Sequence, residues 1–555
     1  MSDLLIKNAL IVDGTGAEPY SGHILIKGDR IVEVVSDTST DSKDLLKKKA
    51  KETFDLKGLA LSPGIIDCHS HFDWIITQKN HTDFANCMME QGVTTVVTGN
   101  CGFSPVPTNK KSQGELNRYA EFFLDTPIDY KWTGISEYND CLNSGKKLLF
   151  NNAQLTGHGT LHLMTTGDEV KKPSPEDLKG MVKIAKKSFD EGSFGMSFGL
   201  QYHPGIFSTD EELTTLAGVV ADADRILTVH IKSLSKYSSV YPLLPALIPG
   251  GKAHNIKAIE HIIKIASKVG VRLQISHFVF AGKRTWPTAK KAVKIVRKAR
   301  KNGLDVMYDM YPIFGGNSYI NVVLPPWFLE DFEKNSKDPK AIKKLRFELN
   351  MTIKLVGMKY SDIQVMDSAF KGGEKYNGLN IMEIAEMEGM DPVDVFIMLV
   401  RESKGKTLAI VYALTGDEEN EEMLESLMSN ELVMFETDTI LRSTGVPNQA
   451  SFGAFPKLLG RYTRDKGVMT LAECVHKMTG KSAERFKIKD RGTIKPGNFA
   501  DLVIFDPDRI ADTTTRKNSS SKPLGIDKVF SNGVLTVENG NYIKGVTPGR
   551  ALSCS

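Results

Sequence analysis

The stretch "LSPGIIDCHSH", Leu61–His71, decides how the rest of the chain is read. Leu61–Asp67 is a short apolar run of the kind that forms a buried strand, and it ends in two histidines separated by one residue. Strand side chains alternate with period two, so an extended chain puts His69 and His71 on the same side. The question is whether other apolar runs end in the same way.

Seven more short runs follow, and several of them are succeeded by a histidine, a cysteine or an aspartate. Downstream lie "VTTVVT" (Val93–Thr98), "NNAQLT" (Asn151–Thr156), "FGMS" (Phe194–Ser197), "ILTV" (Ile226–Val229), "VRLQIS" (Val271–Ser276), "LDVMYD" (Leu304–Asp309) and "LVMFET" (Leu432–Thr437). Longer amphipathic runs separate them, a pattern that argues for parallel βα units. Helix starts are marked by Ser174 followed by Pro175 and Glu176, an N-cap with proline at the first helical position. Thr209 with Glu212 and Thr470 with Glu473 have the spacing of capping boxes. Eight units predict an α/β fold of the (β/α)8 TIM type.

The two ends of the chain read differently. Residues 4–35 and 493–543 are short alternating runs punctuated by Asp13–Gly14, Gly28–Asp29, Asn532–Gly533 and Asn539–Gly540, dipeptides that favour hairpin turns. Neither end is long enough for a core of its own, so the expectation is a small β-sandwich built from both. Asp41–Phe54, rich in lysine, reads as a solvated helix or loop. The predicted organisation is residues 1–62 as the first half of the sandwich, 63–486 as the barrel, and 487–555 as the second half. An insertion at about 313–430 is too long for a simple connection and is expected to form a lid or small subdomain over the barrel mouth.

Composition excludes several roles. The 555 residues carry a formal net charge of +4 from nearly balanced acids and bases, which predicts no nucleic-acid partner and no membrane surface. No apolar run is long enough to span a bilayer, and the first residues lack the pattern of a signal peptide. Six scattered cysteines suit a reducing, cytoplasmic setting. A small-molecule substrate is the expected partner, with a homo-oligomer left open.

In a barrel of this type the reactive groups sit at the C-terminal ends of the strands. His69 and His71 follow the first run, Cys101 the second, His230 the fifth, His277 the sixth and Asp438 the eighth. Taken singly each has a structural reading: a lone His-X-His pair is more often structural than metal-binding. Together, four imidazoles, a thiolate and a carboxylate at strand ends form a zinc donor set with an acid left over for proton transfer.

The series "PGIIDCHSH", "GNCG", "GMSFGLQY", "VHIKS", "ISH", "DMYP", "TD" and "GTIKPGNFADLVIFD" resembles the amidohydrolase superfamily, and within it the N-acyl-D-amino-acid deacylase (D-aminoacylase) branch. The resemblance spans nearly the whole chain and implies a (β/α)8 barrel with a β-sandwich from both ends. Many superfamily members bridge two metals with a carboxylated lysine on the fourth strand, but "FGMSFGLQY" holds no lysine. In the D-aminoacylase branch the cysteine of Gly-Asn-Cys-Gly bridges instead, and Cys101 matches it. The resemblance implies one tight zinc on His230, His277 and Cys101, a weaker second site on His69, His71 and Cys101, and Asp438 as general base and then general acid in amide hydrolysis. A thiolate can serve two zinc ions at about 2.3 Å each. Tyr202, Tyr311 and His158 match pocket positions more loosely.

The departures concentrate on substrate recognition. Val279 stands where the family has a carboxylate-binding lysine, Asn448, Gln449 and Ala450 replace His-Pro-Arg, Lys232 replaces an arginine, Leu234 an acidic residue, and Asn317 a serine. Lys283 is the candidate replacement cation. The expected function is zinc-dependent hydrolysis of a non-peptide C–N bond. The alternatives are the same centre acting on a neutral amide, lactam, cyclic imide or lactone, and a catalytically silent metal-binding scaffold.

Overall fold

The structure is a computed structural model that describes residues 2–145, 148–167, 172–248 and 250–554. All eight apolar runs form strands, and all pair in parallel: Ile65–Asp67, Val93–Thr98, Asn151–Gln154 continuing as Thr156–Gly157, Gly195–Gly199, Ile226–His230, Arg272–Ile275, Val306–Met310 and Val433–Phe435. The expected single sheet is drawn as two arcs. The first three strands make one sheet, and Thr156–Gly157 starts a second that runs in order to the eighth strand. The third run serves both arcs, breaking at Leu155, whose N–H donates to Thr98 O at 2.8 Å.

The outer strands of the arcs also meet. Ser70 and Thr439 form an isolated parallel bridge, Asp438 N–H donates to His69 O at 3.1 Å, and Asp67 Oδ1 accepts from Thr437 N at 3.1 Å. These contacts sit at the C-terminal ends of the first and eighth strands, where His69 and Asp438 lie. Helices between the strands bury one face each. Ser174 caps Pro175–Asp190 in a capping box closed by Asp177, and Thr470 caps Leu471–Met478 with Glu473. Thr209 accepts from Glu212 N, but the Glu212 carboxylate does not return to the cap. It bonds His158 instead, so the expected capping box is only half made.

Both chain ends join in one nine-stranded sheet, with Ala60–Pro63 at the seam. That strand pairs in parallel with Ser2–Ile11 and antiparallel with Leu502–Phe505. The sheet encloses a core of its own around Ile6, Ile24, Leu61, Leu502 and Phe530. Its other residues, Ala60, Val503, Phe505 and Val529, belong to the main core. The Asn532–Gly533 turn has φ of 49° and 77°, the conformation a two-residue hairpin needs. The lysine-rich segment departs from expectation. Only Ser42–Leu46 is helical, and Ala50–Asp55 is a strand paired with Ser2–Ile11, which ties down residues that look solvated in isolation.

The long insertion forms a three-stranded antiparallel sheet, Gly316–Tyr319, Leu408–Val411 and Ile363–Asp367, with helices around a separate apolar core that includes Phe328, Leu345 and Phe396. Glu422–Met428, inside the range expected for the insertion, packs Leu424, Leu427 and Met428 into the main core.

Candidate active site

The sequence-predicted donors come from five strand ends and converge. Cys101 Sγ lies 3.5 Å from His69 Nε2, 3.6 Å from His230 Nδ1 and 3.4 Å from His277 Nε2. His230 Nδ1 and His277 Nε2 are 2.7 Å apart. His71 Nε2 is 3.3 Å from Asp438 Oδ1, and His69 Nε2 is 3.6 Å from the same oxygen. His69, His71 and Cys101 form one potential metal-holding group, and Cys101, His230 and His277 another, with the thiol common to both.

Three of these residues have backbone conformations that side chains other than glycine rarely take: Cys101 at φ 53°, His277 at 30° and Asp438 at 48°. Left-handed backbone costs about 1–2 kcal/mol per residue, and such residues cluster where a side chain must be aimed. The fourth strand is shaped by the same turn. A Cβ on Gly199 would meet Cys101 O at 2.0 Å, and one on Gly102 would meet Gly199 N at 2.5 Å. Backbone, not a lysine side chain, fills the space between the second and fourth strand ends.

The electrostatics fit a cation. Gln201 Oε1 lies 3.0 Å from His230 Nε2, so that nitrogen carries the proton and Nδ1 turns a lone pair towards Cys101. Burial pulls the pKa of His230 far down and that of His277 to about 4, so both rings are neutral donors at pH 7. Burial also lowers His71. His69 is pulled down by burial, but Asp309, with Oδ1 3.6 Å from Nδ1, and Asp438 outweigh it and the pKa is raised. Burial and the charges of Asp438, Glu436 and Asp309 push the bare Cys101 thiol well up. A metal ion reverses that balance, because a coordinating thiol is deprotonated outright. Neutral imidazole nitrogens, one sulfur and adjacent carboxylate charge, buried together, are the donor set zinc prefers.

Asp438 and Glu436 are driven apart. Burial and the neighbouring Asp309 and Asp438 charges raise Glu436 well above the carboxylate range, and neither of its oxygens has a hydrogen-bond partner. Burial raises Asp438 too, but His71 and the other imidazoles outweigh it and hold it below its ordinary value. The Asp438 side chain is 18% exposed. It opens on a cavity of about 300 Å3 lined also by His71, Cys101, His230, His277, Tyr202 and Tyr311. Tyr202 OH lies 2.9 Å from His230 Nδ1. A larger cavity of about 650 Å3 against residues 547–553 has no histidine or cysteine in its described lining.

Two candidate residues fall outside the site. His158 is buried with Nε2 2.7 Å from Glu212, packs on Phe198, and does not line the cavity. Lys283 pairs with Asp417 of the insertion and lies over the Trp286 ring, so its charge is spent away from the cavity. Gln201, Asp309, Tyr119 and Phe123 were not singled out in the sequence. Asp309 ends the seventh run and accepts from His277 N at 2.6 Å and Gln274 Nε2 at 2.7 Å; its place at a strand end was the available signal. The departures at Val279, Leu234 and Ala450 meet in space: Val279 and Ala450 share a buried apolar cluster with Tyr311, Ile313, Leu414 and Ala454, and Leu234 packs against it.

A sequence profile of the amidohydrolase family matches residues 424–540. D-aminoacylase of Alcaligenes xylosoxydans xylosoxydans is 26% identical over 96% of this chain and 93% of its own length. N-acyl-D-glutamate deacylase of the same organism is also 26% identical, over the same shares. The crystal structure of N-acyl-D-glutamate deacylase from Bordetella bronchiseptica, complexed with zinc and a phosphonate that mimics the tetrahedral intermediate, superimposes with a TM-score of 0.79 at 25% identity, over 100% of this chain and 99% of that one. The chain resembles the D-aminoacylase branch of the amidohydrolase superfamily. In this D-aminoacylase-like chain four histidines, a cysteine and an aspartate meet at the strand ends. No helix among the described residues is long and apolar enough to cross a membrane.

Proposed function

We propose that the chain is a zinc-dependent amidohydrolase that hydrolyses a non-peptide C–N bond of a small molecule. The observation that carries the reading is the convergence of His69, His71, Cys101, His230 and His277 beside Asp438, from five strand ends, in one cluster, all of which but His69 line one cavity. The zinc-bound deacylase relative supports the metal. The two arcs of parallel strands are read as one (β/α)8 barrel closed by the Ser70–Thr439 bridge. Residues 63–486 are its span, interrupted by the insertion at about 313–430; residues 1–62 and 487–555 supply the joint β-sheet domain.

His230, His277 and Cys101 would hold one zinc, the tighter by the family resemblance, and His69 and His71 with Cys101 would hold a second. When bound, zinc polarises a carbonyl oxygen and lowers the pKa of water. Asp438, held ionised by His71, takes a proton from the attacking water on its carboxylate. It returns that proton to the amide nitrogen as the C–N bond breaks, leaving a carboxylic acid and an amine. Tyr202 and Tyr311 line the cavity with hydroxyls that can orient the substrate. Gln201 fixes the His230 ring, and Asp309 braces His69 and the His277 turn.

The test is release of acid or amine from a panel of N-acyl-D-amino acids, their L-isomers, neutral amides and cyclic imides by zinc-reconstituted protein at neutral pH. Zinc-dependent turnover of at least one class is expected. No turnover of any of them by fully zinc-loaded protein would sink the reading.

A further inference from the structure

The cavity above the donor cluster carries side-chain charge of one sign. Its described lining contains Asp438 but no lysine and no arginine. Lys232, next in the chain to the lining residue Ser233, is half-buried and is not part of that described lining; three other cations of this region are engaged elsewhere. Lys283 pairs with Asp417, and Arg442 binds Asp125 and Asp367 and donates to Glu121 O at 2.6 Å. Lys236, next in the chain to the lining residue Ser235, lies over the Tyr237 ring at 5.1 Å.

What replaces a cation is apolar. Val279, Tyr311 and Leu414 line the cavity and are buried in one cluster with Ile313, Ala450 and Ala454, and the lining residues Leu234 and Ala281 pack against it. A carboxylate lodged there would lose its water and find no partner. Apart from a bound metal, for which the scissile carbonyl competes, it would meet only the negative charge of Asp438. Among the described lining residues, Asn317 keeps a buried neutral donor unspent. Asn317 Oδ1 accepts from Asn448 Nδ2 at 3.2 Å, which fixes the orientation of the amide, while its own Nδ2 is buried without a partner. A buried donor left unpaired is costly, and a ligand acceptor would remove that cost.

We propose that this cavity selects an uncharged amide, with an apolar substituent against the Val279–Leu414 cluster and a neutral acceptor, such as a carbonyl oxygen, on Asn317 Nδ2. The proposal rests on the amidohydrolase reading of the same site. It names Val279 and Asn317 as specificity-determining residues.

Calorimetry on zinc-loaded Asp438→Asn protein compares N-acetyl-leucine with N-acetyl-leucinamide, each as the D and L isomers. The amide is expected to bind at least tenfold more tightly than the acid of the same chirality, and Asn317→Leu to reduce that preference at least threefold. Val279→Lys should bring the acid level with the amide or ahead of it. Acid binding as tightly as amide, or no binding of either, overturns the proposal. The ligand comparison adds no buried charge, so it stands even where Val279→Lys fails to fold. Acetate release by the wild-type protein is read separately: a preference for the amide without any turnover supports the cavity assignment and counts against hydrolysis.

Discussion

His230 Nδ1 stands 2.7 Å from His277 Nε2, and Cys101 Sγ is 3.6 and 3.4 Å from those same two nitrogens. The Gln201 bond places the His230 proton on Nε2, away from this meeting point. Two rings that are neutral at pH 7 and a sulfur brought to one small volume make a group that can hold a cation. His277→Ala is expected to weaken zinc binding by at least about 100-fold, since loss of an outer hydrogen-bond partner alone costs about 10–100-fold. Zinc per chain after dialysis against a chelator of known affinity measures it, with circular dichroism to establish that the variant is folded. Full zinc retention would remove His277 from the donor set.

Asp438 touches His71 and His69 through one oxygen and opens on the cavity. Asp438→Asn keeps the shape of the carboxylate and removes its proton affinity. The expected result is zinc content close to that of the wild type with kcat lowered by about 10²–10⁴. Unchanged kcat would take Asp438 out of the mechanism.

Lys283 is held by Asp417 and the Trp286 ring, outside the cavity. Lys283→Ala should therefore leave kcat/KM unchanged within error. The half-exposed ion pair is worth at most about 1 kcal/mol, so the thermal midpoint should fall only slightly. A large rise in KM for acidic substrates would place Lys283 in substrate binding after all.

The Glu212–His158 pair gives a pH signature remote from the donors. Burial raises Glu212, but the His158 bond and charge outweigh it, and the pKa lies below the ordinary 4.5. A depressed carboxylate pKa stabilises the fold above the unfolded value, and the contribution is lost as pH falls through the folded value. Glu212→Gln is expected to cost about 1–3 kcal/mol at pH 7, with the gap in thermal midpoint closing progressively below about pH 4.5. A gap that stays constant down to pH 3 would show that the ionised pair contributes nothing.

The strands were legible because short runs alternate with longer amphipathic ones, and the donors because parallel βα units place reactive groups at strand ends. What was not legible depends on distant partners. Nothing local in Ala50–Asp55 reveals its pairing with Ser2–Ile11. The Glu212 carboxylate leaves its own cap for a histidine 54 positions earlier in the chain, and Lys283 is claimed by Asp417, 134 positions on. Tyr119, Phe122 and Phe123 follow the second strand on and just after the helix Gln113–Ala120, and only packing shows that they reach the cavity. The insertion was recognisable by length, but its antiparallel sheet and its contribution of Asn317, Tyr319 and Val411 to the cavity wall were not.

The seam at Ala60–Pro63 sets a timetable for the ribosome. That strand is bordered on one side by Ser2–Ile11, available as soon as it is made, and on the other by Leu502–Phe505. More than four hundred residues must be translated in between. At about 5–20 residues per second, the edge that will receive Leu502–Phe505 stays unpaired for tens of seconds. An open strand edge invites pairing with another chain, so nascent copies on neighbouring ribosomes are at their most vulnerable at this strand. A permuted chain in which the last residues precede the first would close the seam early and should give a larger soluble yield when synthesis is fast.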